Sequence, residues 1–180
     1  DLNVVAGAGP AEAAFNEFTP LFARNDAQLT TTGIVGNNDT YGGEGVLSML
    51  YDRTSLSVGG SAFDTDGFRE NNDDKTKLAD VFAQVAVTPK LNLQAEYRYR
   101  DTDQGDLVLD FDPDDFSPDN RRNLDQQTGR LGLHYAPAPH SDLLASFFYT
   151  DRKDEVLTVE AFSLDAEGQD KGYQAEAEYL

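Results

Sequence analysis

Apolar and polar residues alternate along most of this chain. From Leu91 to Arg100 the odd positions are Leu, Leu, Ala, Tyr and Tyr, while the even positions are Asn, Gln, Glu, Arg and Arg. A period of two places the two sets on opposite faces of a strand. The same pattern recurs over Val81–Val87, Leu131–Tyr135 and Tyr173–Tyr179, and over Leu56–Ala62 with Gly60 among the small members. Gly45–Tyr51 and Leu143–Thr150 are more uniformly apolar and also fit strands. The pattern predicts eight strands, at about 27–36, 44–52, 55–64, 78–88, 91–101, 127–136, 142–151 and 171–180. Residues 1–26 lack the alternation and break at Pro20, so they are expected to form an irregular lead-in, with a β-barrel region over 27–180.

The expected strands are each near ten residues. A tilted membrane-crossing strand needs about 9–11, against about 5–6 in an ordinary soluble sheet. The connections alternate as well. Residues 52–54, 88–90 and 137–141 are short, whereas 65–77, 102–126 and 152–170 are long. Tight turns at one end and longer loops at the other are expected of a membrane barrel. The fold expected is therefore all-β, an antiparallel up-and-down meander of about eight long strands forming part or all of a transmembrane β-barrel.

Composition narrows the function. The 180 residues carry 33 Asp+Glu against 14 Lys+Arg, a net charge of −19, which argues against a nucleic-acid partner. There is no cysteine, so thiolate metal sites and cysteine nucleophiles are excluded. No apolar run approaches the length of a membrane helix. Most of the acid falls in the long connections, above all in 101–126. The run Asp101–Asp106 fails the EF-hand pattern, since Gly105 stands at a ligand position and Asp112 where the bidentate Glu belongs. Asp110, Asp112, Asp114 and Asp115 are read as a solvated acidic loop, and neither a metal nor a cofactor is expected.

Three segments carry a resemblance. Asn16–Phe22 resembles the lead-in of some Gram-negative outer-membrane proteins. Thr65–Asp73 and Phe82–Leu91 resemble strand–loop–strand units of TonB-dependent receptors and related porin-like barrels. The resemblance covers roughly residues 15–180. It implies a bacterial outer-membrane location, outer-membrane lipid as a partner, and a plug or helical-repeat domain in a further part of a longer chain. The strand running into Leu180 without a terminal aromatic adds to the expectation of a fragment.

In such a barrel Gln94, Glu96, Arg98, Arg100, Arg130, His134, Gln174, Glu176 and Glu178 are the candidate lumen-lining residues. They form either a solute-selecting pore lining or a plain ladder of cross-strand ion pairs. Tyr97, Tyr99, Tyr135, Tyr149, Tyr173 and Tyr179 are the candidate lipid-facing girdle, with ordinary strand preference as the alternative. His134 and His140 are the only histidines, and no Asp–His or Ser–His spacing is visible, so catalysis is not expected. The function expected is a pore or receptor segment for solute passage across the outer membrane. A small closed eight-stranded anchor or adhesin, and a soluble ligand-binding barrel or sandwich, remain as alternatives.

Overall fold

A computed structural model describes Phe18 and residues 20–108, 116–159 and 163–180. These residues form eight antiparallel strands: β1 (Asp26–Val35), β2 (Tyr41–Tyr51), β3 (Thr54–Thr65), β4 (Asp74–Thr88), β5 (Leu91–Gln104), β6 (Arg121–Ala138), β7 (Ser141–Val159) and β8 (Ser163–Tyr179). They lie in one sheet in chain order, each bonded to its sequence neighbours. The chain is thus the expected all-β meander, and the sheet is open, with β1 and β8 at its two edges.

The strands are longer than their alternation predicts. β6, β7 and β8 run to 18, 19 and 17 residues. Most of the added length, 74–77, 102–104, 121–126, 152–159 and 163–170, lies at the end away from the short turns. Most of what reads as long loop in 152–170, and both ends of 102–126, is therefore strand. These extensions carry polar residues on both faces, so no period of two marks them. They are held instead by the backbone ladder and by cross-strand ion pairs such as Arg122–Asp154 at 2.8 Å and Lys153–Glu167 at 3.1 Å. At the other end the turns are tight. Asp52 (φ 53°) and His140 (φ 62°) take the left-handed conformation there, so His140 has a turn role.

The register aligns residues of one kind across the sheet. One row reads Ala27, Met49, Leu56, Ala83, Ala95, Leu131, Phe147 and Ala175. The next row on the same face reads Leu29, Leu47, Val58, Val81, Tyr97, Gly129, Tyr149 and Tyr173. No charge interrupts either row. Between them, on the opposite face, runs Gln28, Ser48, Ser57, Phe82, Glu96, Arg130, Phe148 and Gln174.

The polar face is the covered one. Ser57 is 0% exposed, Gln94 4% and Glu96 5%, whereas Leu131 is 56% exposed and Tyr97 49%. Among the described residues only Leu50 and Phe82 are buried apolar side chains. A single layer covers one of its faces by curling toward it. The lead-in also lies against that face: the Phe18 ring is 5.4 Å from the His134 ring on β6, and three residues later the Leu21 amide donates to Ser55 Oγ on β3 at 3.3 Å.

Gly59 shows how closely the inner face is filled. A Cβ added there would sit 2.5 Å from Asp80 Oδ1. A Cβ at Gly129, on the outer face, meets nothing within 4 Å. Gly59→Val is therefore expected to lower stability by about 1–3 kcal/mol, and Gly129→Ala to leave it unchanged or slightly raised. Thermal unfolding of the two variants checks this; equal melting temperatures would remove the close contact from the account.

Candidate functional site

The register places Gln94, Glu96, Arg98, Arg100, Arg130, His134, Gln174, Glu176 and Glu178 on one face, the curled inner one. It places Tyr97, Tyr99, Tyr135, Tyr149, Tyr173 and Tyr179 on the other. Three of the first set meet. The Glu96 side chain is 1% exposed and lies between Arg98 Nη2 at 3.2 Å and Arg130 Nε at 3.6 Å. A carboxylate so deeply covered needs such partners to stay ionised. Arg130 also stacks over Phe148, with its guanidinium carbon 5.9 Å from the ring centre. Gln94 donates to Gln84 Oε1 at 3.0 Å, extending the polar layer to β4. Gln174, Glu176 and Glu178 do not join this centre. They lie on the exposed edge strand β8, where Gln174 donates to Glu176 at 2.6 Å.

Several inner-face groups escape the sequence reading. Arg122 reaches Asp154 through two bonds, from Nε at 3.0 Å and Nη2 at 2.8 Å, and Arg152 Nη2 joins the same carboxylate at 2.7 Å. His134 Nε2 bonds Asp142 Oδ1 at 2.7 Å across β6 and β7. That pair is eight residues apart and forms only because the 139–140 turn fixes the register. Extending the hairpin register outward from Pro137–Ser141 would have found it. Among the described residues no hydroxyl is bonded to His134.

At the end away from the short turns, the β3–β4 and β5–β6 connections interlock. Arg69 is 8% exposed and Asp106 7%, with Arg69 Nη2 3.9 Å from the Asp106 carboxylate and 3.3 Å from its carbonyl. Its guanidinium carbon stands 5.5 Å from the ring centres of both Phe68 and Phe116. Asn71 donates from one amide group to the carbonyls of Ser117 and Asn120, each at 2.8 Å. Asn72 donates to the Asp106 carbonyl at 2.8 Å, and Ser117 N donates to the Asp106 carboxylate at 2.8 Å. Arg121 ties Asp73 to Asp103 below. Residues 66–73, 105–108 and 116–120 thus form one hydrogen-bonded unit. Among the described residues no three potential metal ligands gather, and Asp110, Asp112, Asp114 and Asp115 lie outside them.

Comparison with protein-family models, with curated proteins and with solved structures finds no match to this chain.

Two outcomes follow from these contacts. Asp106→Ala removes the acceptor shared by Ser117, Val108 and Arg69, so limited proteolysis is expected to cut within 105–108 and 116–120 at least about tenfold faster, as loss of roughly 1.5–3 kcal/mol of charged hydrogen bonding would allow. Unchanged cleavage would show that the loops are ordered without it. The Arg122 hydrogen bond holds the Asp154 carboxyl below its ordinary range. A lowered folded pKa gives stability that is present above the unfolded value near 3.9 and is lost as pH falls through the folded one. Asp154→Asn should therefore flatten the acid limb of the stability curve below about pH 4; a superimposable limb would assign that loss to other groups.

Proposed function

We propose that this chain forms part of the wall of a transmembrane β-barrel in a bacterial outer membrane, and that its inner face handles solutes crossing that wall. The observation that carries the reading is the inverted sheet, with charged and amide side chains covered inside and two uncharged rows exposed outside across all eight strands. Water does not favour that arrangement, because exposed apolar rows gain nothing and buried ions lose hydration. In lipid the outer rows lose no hydration and the inner charges face a wet interior.

The belt has the dimensions of a membrane core. On β5 it runs from Leu91 to Tyr99, nine residues or about 27 Å along the strand. Tyrosines stand at both margins, Tyr135 and Tyr179 near the short turns and Tyr97, Tyr149 and Tyr173 toward the loops. Rings at such margins keep their hydroxyls among headgroups. Beyond Tyr99 the outward residues turn charged: Lys77, Asp101, Asp125 and Lys153 share one row. The outer face thus changes from hydrocarbon-compatible to water-compatible within two rows.

The soluble sandwich or lipocalin-like alternative needs the apolar face inward, which is not the face this sheet covers. The small closed barrel needs β1 paired with β8, and the sheet ends at each of them. Open edges cannot stand in lipid, so the proposed wall is completed by further strands.

The chain has no tryptophan, which makes a single introduced one a clean reporter. In liposomes, Leu131→Trp is expected to emit in the blue and to be quenched by lipids brominated on their acyl chains. Ser146→Trp, on the inner face, is expected to be insensitive to them. A chain that stays monodisperse in plain buffer and never partitions to liposomes would overturn the membrane reading.

A further inference from the structure

The inner face carries a second cluster, above Glu96 and toward the loops. Arg100 on β5, Arg122 on β6 and Arg152 on β7 line a cavity of about 260 Å³ together with Thr102, Gln104 and Gln126. The register explains the meeting. Gln126 stands opposite both Arg100 and Arg152, and Arg122 stands opposite Gln104, so three strands deliver guanidinium groups to one face on either side of the Thr102–Leu124–Asp154 row.

The charges at this cavity do not balance. Among the described residues Asp154 is the one carboxylate bonded there, and it serves both Arg122 and Arg152. Arg100 has no carboxylate among the described residues and donates from Nε to Thr102 Oγ1 at 3.2 Å. Arg152 Nε is buried without a hydrogen-bond partner. Two further acids share the Arg100–Arg152 row: Asp170 stands opposite Arg152, and Glu44 lies three strands away on β2. Neither makes an ion pair with these arginines among the described residues. In a chain of net charge −19, the cavity is a local concentration of unspent donors.

We propose that this cavity binds a small oxyanion, the carboxylate or phosphate group of a solute held on the inner face. Guanidinium forks match the paired oxygens of those groups, and Thr102, Gln104 and Gln126 add neutral donors around them. The volume lies just below the roughly 300–1,000 Å³ of sites for drug-sized molecules, which limits the solute to a small one. The inference rests on the inner face being open to water and names the substrate class for the proposed pore wall.

The test is calorimetric titration of the full chain in non-ionic detergent micelles with inorganic phosphate and, separately, succinate, at constant ionic strength. Saturable binding is expected, weakened at least about tenfold in Arg100→Gln and in Arg152→Gln. Lys90→Gln, at a short turn at the far end where its ammonium bonds the Pro137 carbonyl, is expected to bind as the parent chain does. Binding of phosphate but not succinate, or the reverse, assigns the group. Absence of saturable binding, equal affinity in all variants, or equal competition by chloride overturns the site. Circular dichroism confirms the sheet in each variant; should Arg152→Gln not fold, Arg100→Gln decides alone, since Arg100 bonds only Thr102 there. A chain that binds phosphate yet never enters liposomes would keep the site and remove the membrane reading, so the two fail separately.

Discussion

The antiparallel register is the constraint on which the rest of this protein depends. Every strand contributes alternate residues to each face, and within each strand pair the register is unbroken apart from irregularities at Ala86/Thr88 and Tyr135/Ala138. Both irregularities fall beside short turns, outside the uncharged rows. A slip by one residue would carry Glu96, Arg98 and Arg130 to the outer face and Leu131 and Tyr97 to the inner one. Tight turns hold the register at one end, and the left-handed Asp52 and His140 serve those turns. At the other end the loops are locked by Arg69, Asn71, Asn72 and Asp106.

The inner face is then an exercise in supplying partners to polar groups that have no apolar core to replace them. Ser48 and Ser57 meet at 3.3 Å, Gln84 and Gln94 at 3.0 Å, and Glu96 is set between two arginines. Gly59 leaves space for the Asp80 carboxylate, which lies opposite Arg98 on the neighbouring strand. Small residues on β2 and β3 and long charged ones on β5 to β7 make the interior asymmetric: one flank is thin and hydroxylic, the other dense in guanidinium groups. That asymmetry, rather than a uniform lining, gives the face a place where a ligand group can be held.

Much of this was legible in the sequence because two-residue alternation is a local signal. Leu91–Arg100 alone separates the two faces of β5, and the nine inner and six outer residues read from such segments do fall on opposite faces. Whether they line a lumen and face lipid rests on the proposed function. The strand extensions were not legible, since Asp125, Lys153, Glu155 and Glu167 are polar where alternation would need apolar residues. The resemblance to TonB-dependent receptors and porin-like barrels is not supported by any matching family or structure. The His134–Asp142 and Arg152–Asp154–Arg122 contacts were missed for a different reason. They are products of pairing between strands, and pairing cannot be read from residue types without the register that the turns impose.

The distribution of charge separates two ranges of electrostatics. Acid lies on the loops and the outward collar and also on the inner face, where Glu44, Asp74, Asp80, Glu96, Asp154 and Asp170 stand among Arg98, Arg100, Arg122, Arg130 and Arg152. At physiological salt an exposed charge is screened over about 8 Å, so the collar's field fades within a few strand spacings. An anion on the inner face therefore responds mainly to the guanidinium groups within contact distance. The collar still opposes its approach from the loop end. Net charge would class the chain as one that repels anions, yet the local arrangement favours holding one. The field of the whole molecule bears on encounter, and the covered arginines on residence. A wall built this way does not gather anions from solution by attraction at a distance. On the proposed reading it would discriminate among those that arrive, by whether they present paired oxygens to Arg100 and Arg152.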